Sequence, residues 1–326
     1  MQRTDKIQKR NLTIDLLRMI GLFLVIAAHC EFPEWFYEFR EFDVVLLVAV
    51  SGMSFYAASS RITESYAAYV KKRFFRLVLP VWIFLVCFFV FFRILGVSFS
   101  TGVILKSFLL LSGGILFIWV YRIFFVNALL NPLLKQAADH FPVRTASLLL
   151  AGGLVLNEVL YRFVGRILPE TAGKLFDTAV IYTLGYALIS FAGILWEKAE
   201  LNERIYLTAE AGILFVITIL IGGLRGFSEA KYPPQLYYIS YGLLVTFVLY
   251  LLLDHIRINE KAGQIITWLS VNTMRIYMWH IFLYYLLDTL SPVLMRNAWL
   301  TYSVLLGGGI LGSLIQEKFQ GLMKKR

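Results

Sequence analysis

The stretch Leu12–Cys30 reads LTIDLLRMIGLFLVIAAHC, an apolar run with Asp15, Arg18 and His29 set inside it. Its apolar residues follow one another without the alternation of a barrel strand. A helix satisfies all its backbone polar groups within one continuous segment, which is what lipid demands. The run is also close to the roughly twenty residues that cross a bilayer core. Similar runs recur at about Phe42–Ser59, Leu77–Leu95, Ile115–Leu134, Thr145–Leu160 and Asp177–Trp196, then at Ile205–Gly222, Leu236–Leu253, Asn272–Leu287 and Ala298–Ile315. The chain therefore reads as an all-α integral membrane protein of about ten transmembrane helices. Val103–Ser112 is apolar but short, and is expected to lie at the interface or to re-enter the membrane.

Composition agrees. Of 326 residues, 59% are apolar and 16% charged, whereas a soluble domain has about a quarter of its residues charged. Soluble, disordered, collagenous and disulfide-scaffold classes are excluded. Cys30 and Cys87 both lie in apolar runs, so no disulfide framework is indicated. His29 precedes Cys30 where a cleavage site would need a small residue, so the first run stays as a span. The net charge of +10 does not mark a nucleic-acid binder, because Lys and Arg cluster in short segments between the runs. Arg3, Lys6, Lys9, Arg10, Lys71–Arg73, Arg76 and Lys324–Arg326 fall on one side, while the acidic first loop, Glu31–Asp43, falls on the other. The positive-inside rule then puts both termini in the cytoplasm. Residues 1–326 read as a single transmembrane domain without an appended soluble domain.

Charge inside a span is costly and marks a candidate site. Arg18, Lys106, Arg122 and Arg275 lie at membrane depth, with Asp15, His29, Glu158, Glu210 and His280. Lys106 and Glu210 sit near enough to an interface to snorkel. Asp15 and Arg18 are three apart and can pair on one helical face. From Arg18 to His29 a helix turns about 1100°, back to within roughly 20° of that face. One stripe would thus carry an ion pair near the cytoplasm and an imidazole toward the outer leaflet. Arg73 and Arg76, also three apart, enter the membrane on Arg18's side and can grip a phosphate bidentately. Lys72 adds bulk charge, and such a juxtamembrane run also attracts membrane lipid. A phosphorylated cytoplasmic ligand with a long neutral arm suits this layout.

These residues resemble the membrane acyltransferase-3 family. Arg18 and His29 match its Arg and His separated by ten intervening residues, and Ser51-Gly52-Met53 is similar to its Ser-Gly-Phe element, with Met53 in the aromatic's place. Arg73-Phe-Phe-Arg76 resembles its Arg-x-x-Arg motif. Phe117-Ile-Trp119-Val-Tyr121, running to Asn131-Pro132, resembles its aromatic fourth span, and Tyr277-Met-Trp279-His280 its late Tyr-x-x-His element. Lys231-Tyr232-Pro233-Pro234 is similar to a segment of some stand-alone glycan-modifying members, which implies an acceptor-side role for Lys231 and Tyr232.

The resemblance implies transfer of an acetyl group from acetyl-CoA to a sugar hydroxyl of a cell-surface or lipid-linked polysaccharide, such as a capsule or exopolysaccharide. It also implies a multi-pass enzyme of a bacterial cytoplasmic (inner) membrane. The chain ends at the tenth run, which suits a stand-alone enzyme, and no metal or prosthetic group is called for. On this reading Arg18, Arg73 and Arg76 hold the CoA phosphates, and Asp15 positions Arg18. His29 acts as general base or carries the acetyl group as a relay. His280 is the rival base, or a structural or acceptor contact, and Tyr121 or Arg122 stabilises the oxyanion. Cys30 beside His29 is not its partner, since neighbouring helical residues point about 100° apart. A secondary transporter or flippase for an anionic or lipid-linked substrate fits many spans with buried charge too, but would consume no acyl-CoA.

Overall fold

Asn11 starts the fold: its side-chain oxygen accepts from the amides of Thr13 and Ile14, capping α1 (Leu12–Ala27). The computed structural model describes residues 10–61 and 63–323, and no strand occurs among them. The basic termini Arg3, Lys6, Lys9 and Lys324–Arg326 lie outside the described residues. A short α2 (Glu34–Arg40) leads to α3 (Asp43–Ala58). Helices α4 (Tyr66–Leu77) and α5 (Leu79–Ile94) run on across Val78, with Pro80 in the first turn of α5, where a missing amide is harmless. Next come α6 (Thr101–Phe108), α7 (Val120–His140), α8 (Val143–Ile167) and α9 (Glu170–Phe176). A π turn, Asp177–Ile181, joins α9 to α10 (Tyr182–Lys198). A Glu200–Glu203 capping box opens α11 (Leu201–Gly222). The chain then forms α12 (Leu236–Asp254), α13 (Glu260–Val271), α14 (Thr273–Leu290), α15 (Pro292–Met295) and α16 (Ala298–Met323).

Among the described residues, seven helical segments are long and apolar enough to cross a membrane: Glu34–Arg61, Tyr66–Ile94, Val143–Val164, Glu170–Lys198, Leu201–Gly222, Leu236–Asp254 and Ala298–Leu322. Three of the expected spans are not among them, and each has a reason. Helix α1 has 16 residues, a rise of about 24 Å where a bilayer core needs about 30 Å. Helix α7 carries Arg122, Asn127, Asn131 and Pro132, and α14 carries Arg275, His280 and Asp288. These three helices, α1 by its length and α7 and α14 by their polar residues, carry Asp15, Arg18, Arg122 and His280.

Two expected boundaries move. Helix α1 stops at Ala27, two residues before His29, where the bonding tightens from four residues to three. The amide of His29 reaches the Ile26 carbonyl and that of Cys30 the Ala27 carbonyl, both at 3.1 Å. The expected span at Ile115 begins instead at Val120, because residues 109–119 form an irregular segment. Leu110 and Phe117 adopt positive φ there, +54° and +46°, a conformation that helices exclude. Backbone of this kind at membrane depth is tolerated when protein buries it or when it lines a cavity. Leu110, Ile115 and Ile118 are buried, and the expected short segment is realised as the eight-residue α6 that precedes it.

Helix α3 crosses α10 at the closest approach in the bundle. A Cβ on Gly52 would lie 2.1 Å from the Ser190 carbonyl oxygen, and one on Gly193 would lie 1.9 Å from that of Ala49. Small residues let backbones meet in this way where lipid supplies no hydrophobic force between helices. Around this crossing lies one core cluster, built from α3, α10, α12 and parts of α7, α8 and α11. A second cluster joins α5, α14 and the segment before α7. Helix α1 belongs to both, giving Ile14 and Leu17 to the first and Leu22, Val25 and Ile26 to the second. Its two ends therefore pack into different core clusters.

Candidate active site

At its starting end α1 presents Asp15 and Arg18 one turn apart, as their spacing predicts. Arg18 Nη1 donates to Asp15 Oδ1 at 3.2 Å and to Ser270 Oγ, on α13, at 2.6 Å. Ser270 in turn donates to Asp15 Oδ1 at 2.7 Å. Arg18 Nη2 reaches Ser54 Oγ on α3, and Arg10 Nη2 donates to Asp15 Oδ1's side of the same carboxylate at 2.8 Å. The carboxylate is thus enclosed by two guanidinium groups and a hydroxyl, while Arg18 stays partly exposed. Arg76 lies close enough to act on Arg18 electrostatically, and Arg73 beside it sits over the Tyr69 ring, 4.8 Å from its centroid. Arg18, Arg73 and Arg76 therefore gather at one end. Lys72 turns elsewhere, exposed and paired with Glu64 at 3.1 Å.

The far end of α1 has a different character. His29 stacks on Phe117, ring centroids 4.9 Å apart and planes 19° apart, and lies 5.0 Å from His280 of α14. Tyr284 meets His29 edge-on at 6.1 Å, and Tyr277 meets His280 at 4.5 Å. The two imidazoles that the chain separates by most of its length are neighbours. All four of their ring nitrogens are buried without a hydrogen-bond partner. A neutral imidazole offers one donor and one acceptor, so this pair has both to give to a bound molecule. Phe117, whose left-handed backbone is rare for a non-glycine residue, is the wall against which His29 rests.

Next to Phe117 opens a cleft of about 290 Å³ bordered by Trp119, Arg122, Thr178, Tyr182 and Tyr232. Tyr232 stands edge-on to Trp119 at 5.4 Å. Tyr121, adjacent in sequence, faces away: its hydroxyl donates to the Met274 carbonyl at 3.0 Å, and its ring packs on Tyr277. Ser51 precedes Gly52 at the α3–α10 crossing and is half-buried. Met53, beside it, is fully buried.

Lys231 is not a surface residue. It is buried under the bundle end with Arg40, Glu41 and Asp43. Its Nζ lies 2.5 Å from Glu41 Oε2 and 3.4 Å from Asp43 Oδ1, and Arg40 spans the same two carboxylates at 3.1 and 2.6 Å. Burial works against the Lys231 ammonium, but Asp43, Tyr232 and Glu41 together outweigh it and raise its pKa. Two cations and two anions thus hold the Lys231–Tyr232 loop on the start of α3, and only Tyr232 of the pair reaches the cleft. Sequence reasoning passed over Arg40, Glu41 and Asp43. Their signal was acidic residues beside the start of an apolar run, with a lone lysine in another loop on the same side.

Comparison with known families matches residues 11–316 to an acyltransferase domain, that of the acyltransferase-3 family. Neither the curated proteins nor the solved structures give a match.

Proposed function

Because the chain belongs to the acyltransferase-3 family, we propose that it moves an acetyl group from cytoplasmic acetyl-CoA to a sugar hydroxyl of a cell-surface or lipid-linked polysaccharide. The family and the seven apolar helices make it a multi-pass membrane acyltransferase; the donor, the acceptor and the residue roles are our reading. With α1, α7 and α14 counted as spans the total is about ten, and both termini then face the cytoplasm of a bacterial inner membrane.

The observation that carries the proposal is the buried histidine pair, 5.0 Å apart, whose ring nitrogens make no hydrogen bond with the protein. A sugar hydroxyl is a weak nucleophile at neutral pH, and an imidazole that takes its proton during attack is the simplest remedy. His29 takes that proton as the hydroxyl oxygen bonds to the acetyl carbon. The C–S bond breaks and the CoA thiolate leaves, to be protonated from the imidazolium. His280 shares the site as the second base or acid. The same pair serves a relay, in which His29 carries the acetyl group and His280 takes the sugar proton. Arg18, Arg73 and Arg76 bind the CoA phosphates, Asp15 fixes Arg18, and Lys72 contributes charge at the rim. The remainder of α1, about 14 Å from Arg18 to Ala27, is the length along which the donor's neutral arm lies.

The test is release of free CoA thiol by purified protein given acetyl-CoA and glycan lipid extracted from membranes. Acceptor-dependent release that is lost in His29→Ala is the expected result. Release unaltered by that substitution moves the chemistry away from His29. No release with folded protein and any extract removes the transferase reading.

A further inference from the structure

A second, smaller recess of about 20 Å³ shares Arg122 and Tyr182 with the cleft beside Phe117 and is bordered also by Asn127 and Tyr186. A space of that size holds a single small polar group and no more. Asn127 and Tyr186 are both almost completely buried, and the Asn127 Nδ2 and the Tyr186 hydroxyl make no hydrogen bond. Groups left unpaired in the interior carry the full cost of their desolvation, so a partner at this point would be strongly held. Arg122 adds a guanidinium with no ion-pair partner among the described residues. The set is rich in donors: a guanidinium and an amide NH2, with a hydroxyl that can also donate. The group that complements it accepts only, and carries negative charge.

The wider part of the cleft has the opposite chemistry. Trp119, Tyr182 and Tyr232 present aromatic surface, and Thr178 a hydroxyl. Flat aromatic faces beside a few convergent polar groups suit a small ring with apolar C–H faces and hydroxyl edges. Phe117 borders this space and stacks on His29 with its ring, so a ring seated here lies one side chain away from the histidine pair.

We infer that this cleft is the acceptor subsite and that it selects a sugar acid, whose ring rests among Trp119, Tyr182 and Tyr232 and whose carboxylate enters the recess to meet Arg122, Asn127 and Tyr186. The inference rests on the acetyl-transfer reading for the word acceptor, but the binding itself does not depend on it. It gives Arg122 the sugar carboxylate as its partner instead of a reaction oxyanion. Phe117 becomes the partition that the acceptor hydroxyl must pass to reach His29.

The experiment is a binding titration on the purified full chain in detergent, read by saturation-transfer NMR, with glucuronic acid, glucose and glucose 6-phosphate as probes. Thiol release from acetyl-CoA is followed on the same protein. Glucuronic acid is expected to bind about tenfold or more tightly than glucose, the scale of a hydrogen-bonded charge. Arg122→Gln should bring the two sugars level, and Tyr186→Phe, which removes one oxygen and keeps the fold, should weaken the acid alone. Equal binding of acid and neutral sugar overturns the inference, as does a preference for the phosphate sugar. Thiol release by a protein that binds none of the probes also overturns the inference, while leaving the transferase reading intact. Acid-selective binding without thiol release from any acceptor extract keeps the sugar-acid site and removes the transferase reading instead.

Discussion

The two ends of α1 differ in how their polar groups are satisfied. At the Arg18 end, Asp15, Arg18, Ser54 and Ser270 all hydrogen-bond to one another or to a neighbouring carbonyl. At the His29 end, two imidazoles 5.0 Å apart share a dry space and make no hydrogen bond. A closed network holds a charged side chain in one place. An open pair of imidazoles holds proton-transfer capacity in reserve. One short helix thus joins an anchoring end to a reactive end, and the contrast can be broken from either side.

The largest effect is expected at the reactive end. His29→Ala should lower acceptor-dependent thiol release by about 10²–10⁴-fold, the usual worth of a positioned acid–base group, without changing the melting temperature of the detergent-solubilised protein. His280→Asn should cost about 10²-fold in kcat, the lower end of that range, as the second base. An equal loss in both single variants and in the double variant would show that the pair acts as one unit.

At the anchoring end the loss should appear as stability and donor affinity. Asp15→Asn leaves Arg10 and Arg18 without their counter-charge; both guanidiniums keep some solvent, so the cost is expected at about 1–3 kcal/mol, that of losing charge-assisted hydrogen bonds. A lowered melting temperature together with a raised KM for acetyl-CoA is the expected outcome. A change in kcat alone would contradict the division of labour along α1. Ser54→Ala removes one hydrogen bond to Arg18 and should cost only about 1 kcal/mol.

The smallest effect concerns pH. The Lys231 pKa is raised in the folded protein above its ordinary value, so the stability it contributes is complete below that ordinary value, about 10.4. It is lost as pH rises through the folded value. The melting-temperature gap between wild type and Lys231→Gln should therefore stay constant from neutral pH to about 9.5 and shrink only in stronger alkali. A gap that closes between pH 7 and 9 would mean that Glu41 and Asp43 do not hold the ammonium charged.

Legibility followed sequence distance. Asp15 with Arg18, and Arg73 with Arg76, were readable because residues three apart share a helical face. That face arithmetic overreached at His29, which lies beyond the last helical turn, although it still reaches the α14 side of the bundle. His280 appeared as a rival base because nothing local shows that α14 packs beside the end of α1. The Arg40–Glu41–Asp43–Lys231 cluster was hidden for a related reason: an isolated loop lysine gives no sign that it is buried. Phe117 was legible only as part of the aromatic run before Asn131-Pro132; the left-handed backbone that it adopts within the irregular segment 109–119 had no local sign.

What the amino-acid order determines alone is the solvent and the element type. Continuous apolar runs with too little charge to face water must be helices in lipid, and buried Arg and His within them must have partners or work. What only tertiary structure decided is which of those groups found partners. Hydrogen bonding is short-ranged and directional, so a few ångströms separate Arg18, enclosed by Asp15 and Ser270, from His29 and His280, which face each other with their nitrogens free.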